Sequence, residues 1–305
     1  MKSVAVREPS QSVYSSPVTF SARDGIELHG TWFLPLVQGG LPASVIVIGC
    51  GGGVPAKFYH GLARYLSNCN AAVLTFDYRG IGESRQGTLK GMVSGVDVWG
   101  AADLDGALRF AHDTFPDLPL DAIAHSVGAL LLGAAQESRR LSKIVFLGPH
   151  TGFWRDYRRR WRLPLYVTWH VLMPAATKIF GYFPGKALGL GEDLPPQVAM
   201  DWANRRQPDL VRDRNDSRGL LALLEKYRDL DTPTLALSAS DDAFAPPVAA
   251  KRLLSLYPNL KATSRVVTPA SVKSRRLGHF GYLRRPASEL IWAMIAEWLG
   301  LTRSP

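Results

Sequence analysis

The segment Ala124-His125-Ser126-Val127-Gly128 constrains this chain more than any other, because it stands between two apolar runs of different character. Leu120-Asp121-Ala122-Ile123-Ala124 reads as a buried strand, and Gly128 to Ala135 reads as a buried helix. A serine at such a junction needs small neighbours, since the turn is tight. Its hydroxyl then stands clear of the sheet, and the following helix directs the positive end of its dipole at it. One position departs from the usual Gly-x-Ser-x-Gly pattern: Ala124 occupies the place of the first glycine. Alanine is the smallest residue with a Cβ, so the turn stays feasible but more crowded. The pentapeptide alone is a weak signal; the strand–turn–helix context gives it weight.

The rest of the chain repeats that alternation. Val18-Thr19-Phe20 and Ile26 to Leu34 flank Arg23-Asp24-Gly25, which predicts an antiparallel hairpin. Ser44 to Ile48, Ala71 to Phe76 and Lys143 to Leu147 are continuous apolar runs of the kind buried on both sheet faces. Between them, Phe58, Leu62, Tyr65 and Leu66 recur at helical spacing, and Val96 to Ala111 has one apolar face. Strand Thr234 to Ser238, helix Pro247 to Leu256, strand Thr263 to Val267 and helix Pro286 to Leu299 complete the series. This predicts an α/β fold, a mostly parallel doubly wound sheet with helices on both faces. The alternation breaks at Gly148-Pro149. From about His150 to Arg228 no strand is evident, and helix-like pieces such as Leu220 to Tyr227 appear among many Trp, Tyr, Arg and Pro residues.

The expected organisation is therefore a core over 17–149 and 229–303, an inserted helical cap over 150–228, and a polar, flexible stretch over 1–16. An insertion at that point lies over the carboxyl ends of the strands, where open α/β sheets bind ligands. Cap aromatics such as Trp154 are candidates for lining an apolar substrate pocket.

At 305 residues, 46% hydrophobic and 20% charged, the chain has the balance of a globular protein with one large core. Cys50 and Cys69 do not make a disulfide framework or a metal-ligand spacing, so no metal and no cofactor is expected. The first residues lack the apolar core of a signal peptide, and the apolar runs are too short to span a bilayer. These features predict a cytoplasmic protein without stable membrane insertion. The net charge of +10 concentrates at Arg155 to Arg162 and at Lys273 to Arg285. One reading is a nucleic-acid or anionic-membrane surface; no nucleic-acid motif accompanies the charge, so a solubilising face that also steers anionic substrates is expected instead, with no nucleic-acid partner.

A serine hydroxyl is a poor nucleophile until a base takes its proton and a third group orients that base. On a strand–turn–helix serine the chain order of the partners is acid, then histidine. Ser240-Asp241-Asp242-Ala243-Phe244-Ala245-Pro246 follows a late strand, and the Asp-x-x-x-Pro turn favours Asp242 over Asp241. Gly278-His279-Phe280-Gly281 follows the last strand, with glycines that let a loop carry the ring inward. His279 is the expected base. His150, at the end of a core strand, is the reserve candidate and, with His125 and Phe244, a candidate pocket residue; His125 alternatively supports the site. An oxyanion needs N–H donors from the residue after the serine, Val127, and from the loop Gly49-Cys50-Gly51-Gly52-Gly53, where Gly51 and Gly52 are the candidates. That glycine run fits neither a Gly-Lys-Ser/Thr nor a G-x-G-x-x-G frame, which argues against phosphate binding.

These residues carry a resemblance. The glycine loop with Val54-Pro55, the turn Asp77-Tyr78-Arg79-Gly80-Ile81-Gly82-Glu83-Ser84, the serine turn, Asp242 to Pro246 and Gly278 to Gly281 resemble the α/β-hydrolase superfamily. Within it, they resemble the bacterial predicted α/β hydrolases and the serine aminopeptidase-like group, from Phe20 onward. The resemblance implies an eight-stranded, mostly parallel sheet and a Ser126–Asp242–His279 triad, with Asp77 and Arg79 structural. It implies acyl transfer through Ser126. An aromatic cap suits a small-molecule ester or thioester with an apolar acyl group. An acyltransferase with the same triad is the alternative, as is an aminopeptidase or amidase, for which Glu192, Asp193 and Asp201 are the available acids. A non-catalytic binding protein on the same fold is the remaining reading.

Overall fold

Apolar runs with no polar face form the centre of the sheet, as the sequence requires. In the computed structural model, which describes residues 13–36, 41–205, 225–284 and 287–302, β3 (Ser44–Gly49), β4 (Ala71–Phe76) and β5 (Leu120–His125) are buried at every position. Helices cover both faces of such strands, so neither face needs polar residues. With β1 (Val13–Ser21), β2 (Glu27–Pro35), β6 (Leu141–Leu147), β7 (Pro233–Ala239) and β8 (Lys261–Val267) they make one eight-stranded sheet in the order β1-β2-β4-β3-β5-β6-β7-β8. β2 runs antiparallel to β1 and β4; the remaining neighbours are parallel. Because β3 and β5 to β8 all run the same way, their carboxyl ends share one edge, and the loops leaving that edge meet.

Three helical segments differ from the expected form, each for a local reason. The stretch before α1 (His60–Ser67) is a 3-10 turn over Ala56–Tyr59, with three residues per turn. The tighter winding puts Ala56, Tyr59 and Leu62 on the buried face and leaves Phe58, expected inside, 48% exposed. The predicted helix Val96 to Ala111 is α2 (Val96–Val98), a π-helical stretch Trp99–Leu104 and α3 (Asp105–Thr114). The helix after Ser126 is short: α4 (Gly128–Leu131) tightens into a 3-10 turn Leu132–Ala134. Two tyrosines end it. Tyr257 Oη donates to the Ala129 carbonyl at 2.5 Å and Tyr227 Oη to the Leu130 carbonyl at 2.5 Å, which removes the acceptors a further α turn would use.

Asp77 and Arg79 are tied into the backbone. Asp77 accepts the N–H groups of Ala56 and Glu83 at 2.7 and 3.0 Å, and Arg79 bridges Asp24 and the fully buried Asp103. At the N-terminus, β1 begins at Val13, so residues 13–16 belong to the sheet rather than to a flexible stretch; the earlier residues lie outside those described.

Between β6 and β7 the described residues form helices joined by turns, with a single Phe183–Leu194 bridge and no strand. α5 (Arg159–Val167), a π-helical stretch Thr168–Leu172 and α6 (Met173–Phe180) form one continuous helical run, followed by α7 (Pro196–Asn204). Of the helix expected over Leu220 to Tyr227, residues 220–224 lie outside the described set and residues 225–228 are helical. The segment is stitched to the sheet edge: Arg158 donates to the Ser240 carbonyl at 2.6 Å, and Arg252 pairs with Asp156. α8 (Pro247–Leu254) and α9 (Ala287–Leu299) complete the described fold. Among the described residues, no helix is long and apolar enough to cross a membrane.

Candidate active site

Ser126 sits in the left-handed region, at φ 58°, where only a sharp turn places a non-glycine residue. Its N–H donates to the Leu147 carbonyl at 2.9 Å, which anchors the turn to the end of β6. The turn also depends on Gly128. A Cβ there would stand 2.6 Å from the Gly49 carbonyl oxygen and 2.8 Å from that of Cys50. The loop after β3 is thus pressed directly against the start of α4, and no side chain fits between them.

Ser126 Oγ lies 2.9 Å from His279 Nε2, and His279 Nδ1 lies 2.7 Å from Asp242 Oδ2. The other Asp242 oxygen accepts the N–H groups of Phe244 and Ala245 at 2.8 and 2.9 Å. Burial raises the Asp242 carboxyl, but the adjacent His279 ring and those two N–H groups outweigh it, and its pKa lies below the ordinary carboxylate value. Asp241 has a different task. Its two oxygens accept the N–H groups of Leu277 and Gly278, each at 3.0 Å, and so hold the loop that carries His279. Gly148 completes the packing beneath the base: at φ 53° a Cβ would stand 3.4 Å from both His279 Cε1 and Asp242 Oδ2.

A second imidazole reaches the same oxygen. His150 Nε2 lies 2.9 Å from Ser126 Oγ, and His150 is almost wholly buried. The proton order follows from the partners. His279 Nδ1–H donates to the Asp242 carboxylate, so its Nε2 accepts the serine proton. Oγ then has only lone pairs for His150, whose Nε2–H is the donor. His150 Nδ1 is left buried without a hydrogen-bond partner among the described residues. Burial, helped by His279, drives the His150 pKa well below the ordinary imidazole value and keeps the ring neutral.

His125 is fully buried and supports the site. Its Nε2–H donates to the His279 carbonyl at 3.1 Å, so Nδ1 accepts the Tyr59 hydroxyl at 2.9 Å. Tyr59 Oη in turn accepts the Gly51 N–H at 2.8 Å. This chain joins the glycine loop to the His279 loop through the residue before Ser126. Burial lowers the His125 pKa to about 3, so the ring remains a neutral link. It also corrects one expectation: the Gly51 N–H is already engaged with Tyr59. No described group accepts from the Gly52 or Val127 N–H, and a Cβ on Gly52 would stand 3.2 Å from Val127 Cγ1, so these two lie side by side.

Of the remaining expected pocket residues, Phe244 lies against the base, its ring 5.6 Å from that of His279. Trp154 does not. Its ring contacts are with Phe153, Tyr166 and Arg155, within its own segment. The indole that meets the site is Trp202 of α7, edge-on to His150 at 5.7 Å. Sequence reasoning missed Trp202 and Tyr59. Only the one-residue shift of the 3-10 turn brings Tyr59 inward, and Trp202 carries no local signal beyond being apolar on a helix. The candidate acids of a peptide-amine site are all occupied. Asp193 pairs with Arg85 at 2.9 Å, Glu192 with Lys186 at 2.7 Å, and Asp201 accepts the Val96 N–H at 2.9 Å.

The fold is shared with several solved proteins. An esterase of Pyrococcus furiosus superposes with a TM-score of 0.59 at 16% identity, covering 100% of this chain and 97% of its own. An esterase of Thermogutta terrifontis gives 0.55 at 19% identity over 93% and 98%. The Pyrococcus horikoshii acylaminoacyl peptidase gives 0.59 at 12% over 97% of this chain and 43% of its own. In sequence, the chain is 36% identical over 104 residues to the uncharacterized protein YfhR of Salmonella typhi, a match spanning 29% of this chain and only 35% of that relative. A sequence model of the family described as serine aminopeptidase, S33, matches residues 40–268, and the chain therefore belongs to that family of α/β-fold serine hydrolases.

Proposed function

We propose that the protein hydrolyses a small-molecule carboxylic ester or thioester through an acyl-enzyme on Ser126. The observation that carries this reading is the continuous Ser126–His279–Asp242 hydrogen-bonded array at 2.9 and 2.7 Å. His279 takes the serine proton as Oγ attacks the carbonyl carbon, and Asp242 holds the resulting imidazolium. Gly52 and Val127 supply the N–H groups for the oxyanion. His279 then protonates the leaving group, and water releases the acid by the reverse sequence.

His150 adds a feature to this scheme. Its Nε2–H donates to the oxygen that gains negative charge as the proton leaves, so it favours the alkoxide over the resting alcohol. The inserted segment over 150–228 serves as a cap, with its Trp202 and the core residue Phe244 forming apolar walls near the two histidines. An ester or thioester is favoured over a peptide amine because Glu192, Asp193 and Asp201 already have partners.

The test is a panel of acyl esters, acyl thioesters and aminoacyl amides, with Ser126→Ala as the control. Ester or thioester turnover that disappears in Ser126→Ala is expected. Preferential cleavage of aminoacyl amides overturns the substrate class, and predominant acylation of an added alcohol or amine overturns hydrolysis.

A further inference from the structure

The helical run from α5 through α6 has an apolar row on each side. Leu165, Trp169, Met173 and Thr177 recur every fourth residue and face inward; Leu165, Met173 and Thr177 are buried. Leu163, Val167, Val171, Ala175 and Ile179 recur at the same spacing, offset by two positions, which is roughly the opposite side of a helix. A strict four-residue spacing drifts around an α-helix, but the wider π turn at Thr168–Leu172 brings the rows back into line. The second row faces solvent: Leu163 is 71% exposed, Val171 51% and Ile179 76%. A helix that is apolar all round is normally covered on all sides. Here the outer side is an uncovered apolar stripe roughly 25 Å long, a feature that marks an interaction surface.

The charge around the stripe selects the partner. From Tyr157 to Gly191 the chain has four arginines and two lysines and no Asp or Glu. Arg155, Arg159, Arg160 and Arg162 cluster, exposed, at the start of the run, and Lys178 is exposed near its end. Trp161 and Phe180, both exposed, stand at the two ends of the stripe. An apolar stripe with aromatic ends, in a segment whose only charges are positive, suits the boundary between headgroups and acyl chains of an anionic bilayer. A second copy of this chain would bring a like-charged cluster to the same face, which costs energy.

We propose that the outer face of α5–α6 docks the protein on an anionic lipid surface. The docking is interfacial: the stripe lies in the plane of the headgroups and no segment spans the bilayer. It is independent of the hydrolytic reading, since none of these residues touches Ser126, His279 or Asp242.

Sedimentation of the full chain with vesicles tests this. Binding is expected to vesicles of phosphatidylcholine mixed with phosphatidylglycerol, weakening as salt rises, with little binding to phosphatidylcholine alone. The double variant Leu163→Glu/Ile179→Glu alters only exposed positions and is expected to lose binding by about tenfold or more. Arg159→Gln/Arg160→Gln is expected to lose the preference for the anionic vesicles while circular dichroism stays unchanged. Failure of the folded wild type to bind, equal binding to neutral vesicles, or equal binding by the Glu variant each overturns the proposal. So does a dimer, seen by light scattering, that the Glu variant dissociates in the absence of any vesicle binding. Hydrolytic activity of unbound protein bears only on the reading of Ser126.

Discussion

His150 and His279 both reach Ser126 Oγ at 2.9 Å, and the proton count gives them opposite roles. His279 accepts, His150 donates. His150→Ala is expected to lower kcat on a good ester by about a hundredfold, the lower end of the range for losing one preorganised donor. His150→Gln, which retains an N–H donor, is expected to recover part of that loss, with KM changed less than kcat. Equal activity of the Ala variant and wild type would contradict the donor role. Ser126 itself carries backbone strain at φ 58°. Ser126→Gly is therefore expected to be more stable than Ser126→Ala, by about 0.5–1 kcal/mol in urea unfolding, because only glycine relieves a left-handed φ. That Ser126, Asp242 and His279 come together was legible from residue type and chain order, since a loop after each of those strands has only one edge to reach. His150 was visible only as a residue ending a strand. Its approach to Oγ depends on Gly148 turning through φ 53°; Gly148-Pro149 marks a break in the sequence but not the direction in which the chain then runs.

At the scale of elements, the serine turn depends on how closely α4 approaches the end of β3. Gly128→Ala would push a Cβ into the Gly49 and Cys50 carbonyls at 2.6 and 2.8 Å, both backbone atoms that cannot swing away. A loss of roughly 2–4 kcal/mol in unfolding free energy is expected, together with loss of ester turnover, because the glycine loop must shift. Ala124, the departure from the usual turn pattern, causes no comparable problem. A Cβ placed on Gly49 would stand 3.8 Å from the Ala124 Cβ, an ordinary contact. Strands were legible because continuous β-branched and apolar runs have few alternatives. Helices were less so. Whether a segment winds as 3-10, α or π depends on tertiary acceptors such as the tyrosines that end α4, and one residue of difference in winding exchanged Phe58 for Tyr59 at the core.

Across the whole molecule, a buried neutral chain couples the loops on either side of the nucleophile: Gly51 N–H to Tyr59, Tyr59 to His125, and His125 to the His279 carbonyl. It has a signature in acid. His125 stays neutral in the folded state down to about 3, whereas an exposed imidazole titrates near 6.5. Between these values only the unfolded chain binds the proton, so stability linked to this residue is complete above 6.5 and falls with pH below it. His125→Gln lacks that proton. The stability difference between wild type and His125→Gln is expected to be largest at pH 8 and to narrow by about 1.4 kcal/mol per pH unit below 6.5. A difference that is constant from pH 8 to pH 4 would show that His125 is not buried and neutral.

Ser126 is proposed to be an activated nucleophile served by His279. Treating the folded protein with a fluorophosphonate and mapping the adduct by peptide mass spectrometry tests it most directly. A single phosphonylated residue, Ser126, is expected, with labelling slowed strongly in His279→Ala and absent in Ser126→Ala. Labelling elsewhere, or a folded wild type that stays unlabelled, would contradict it.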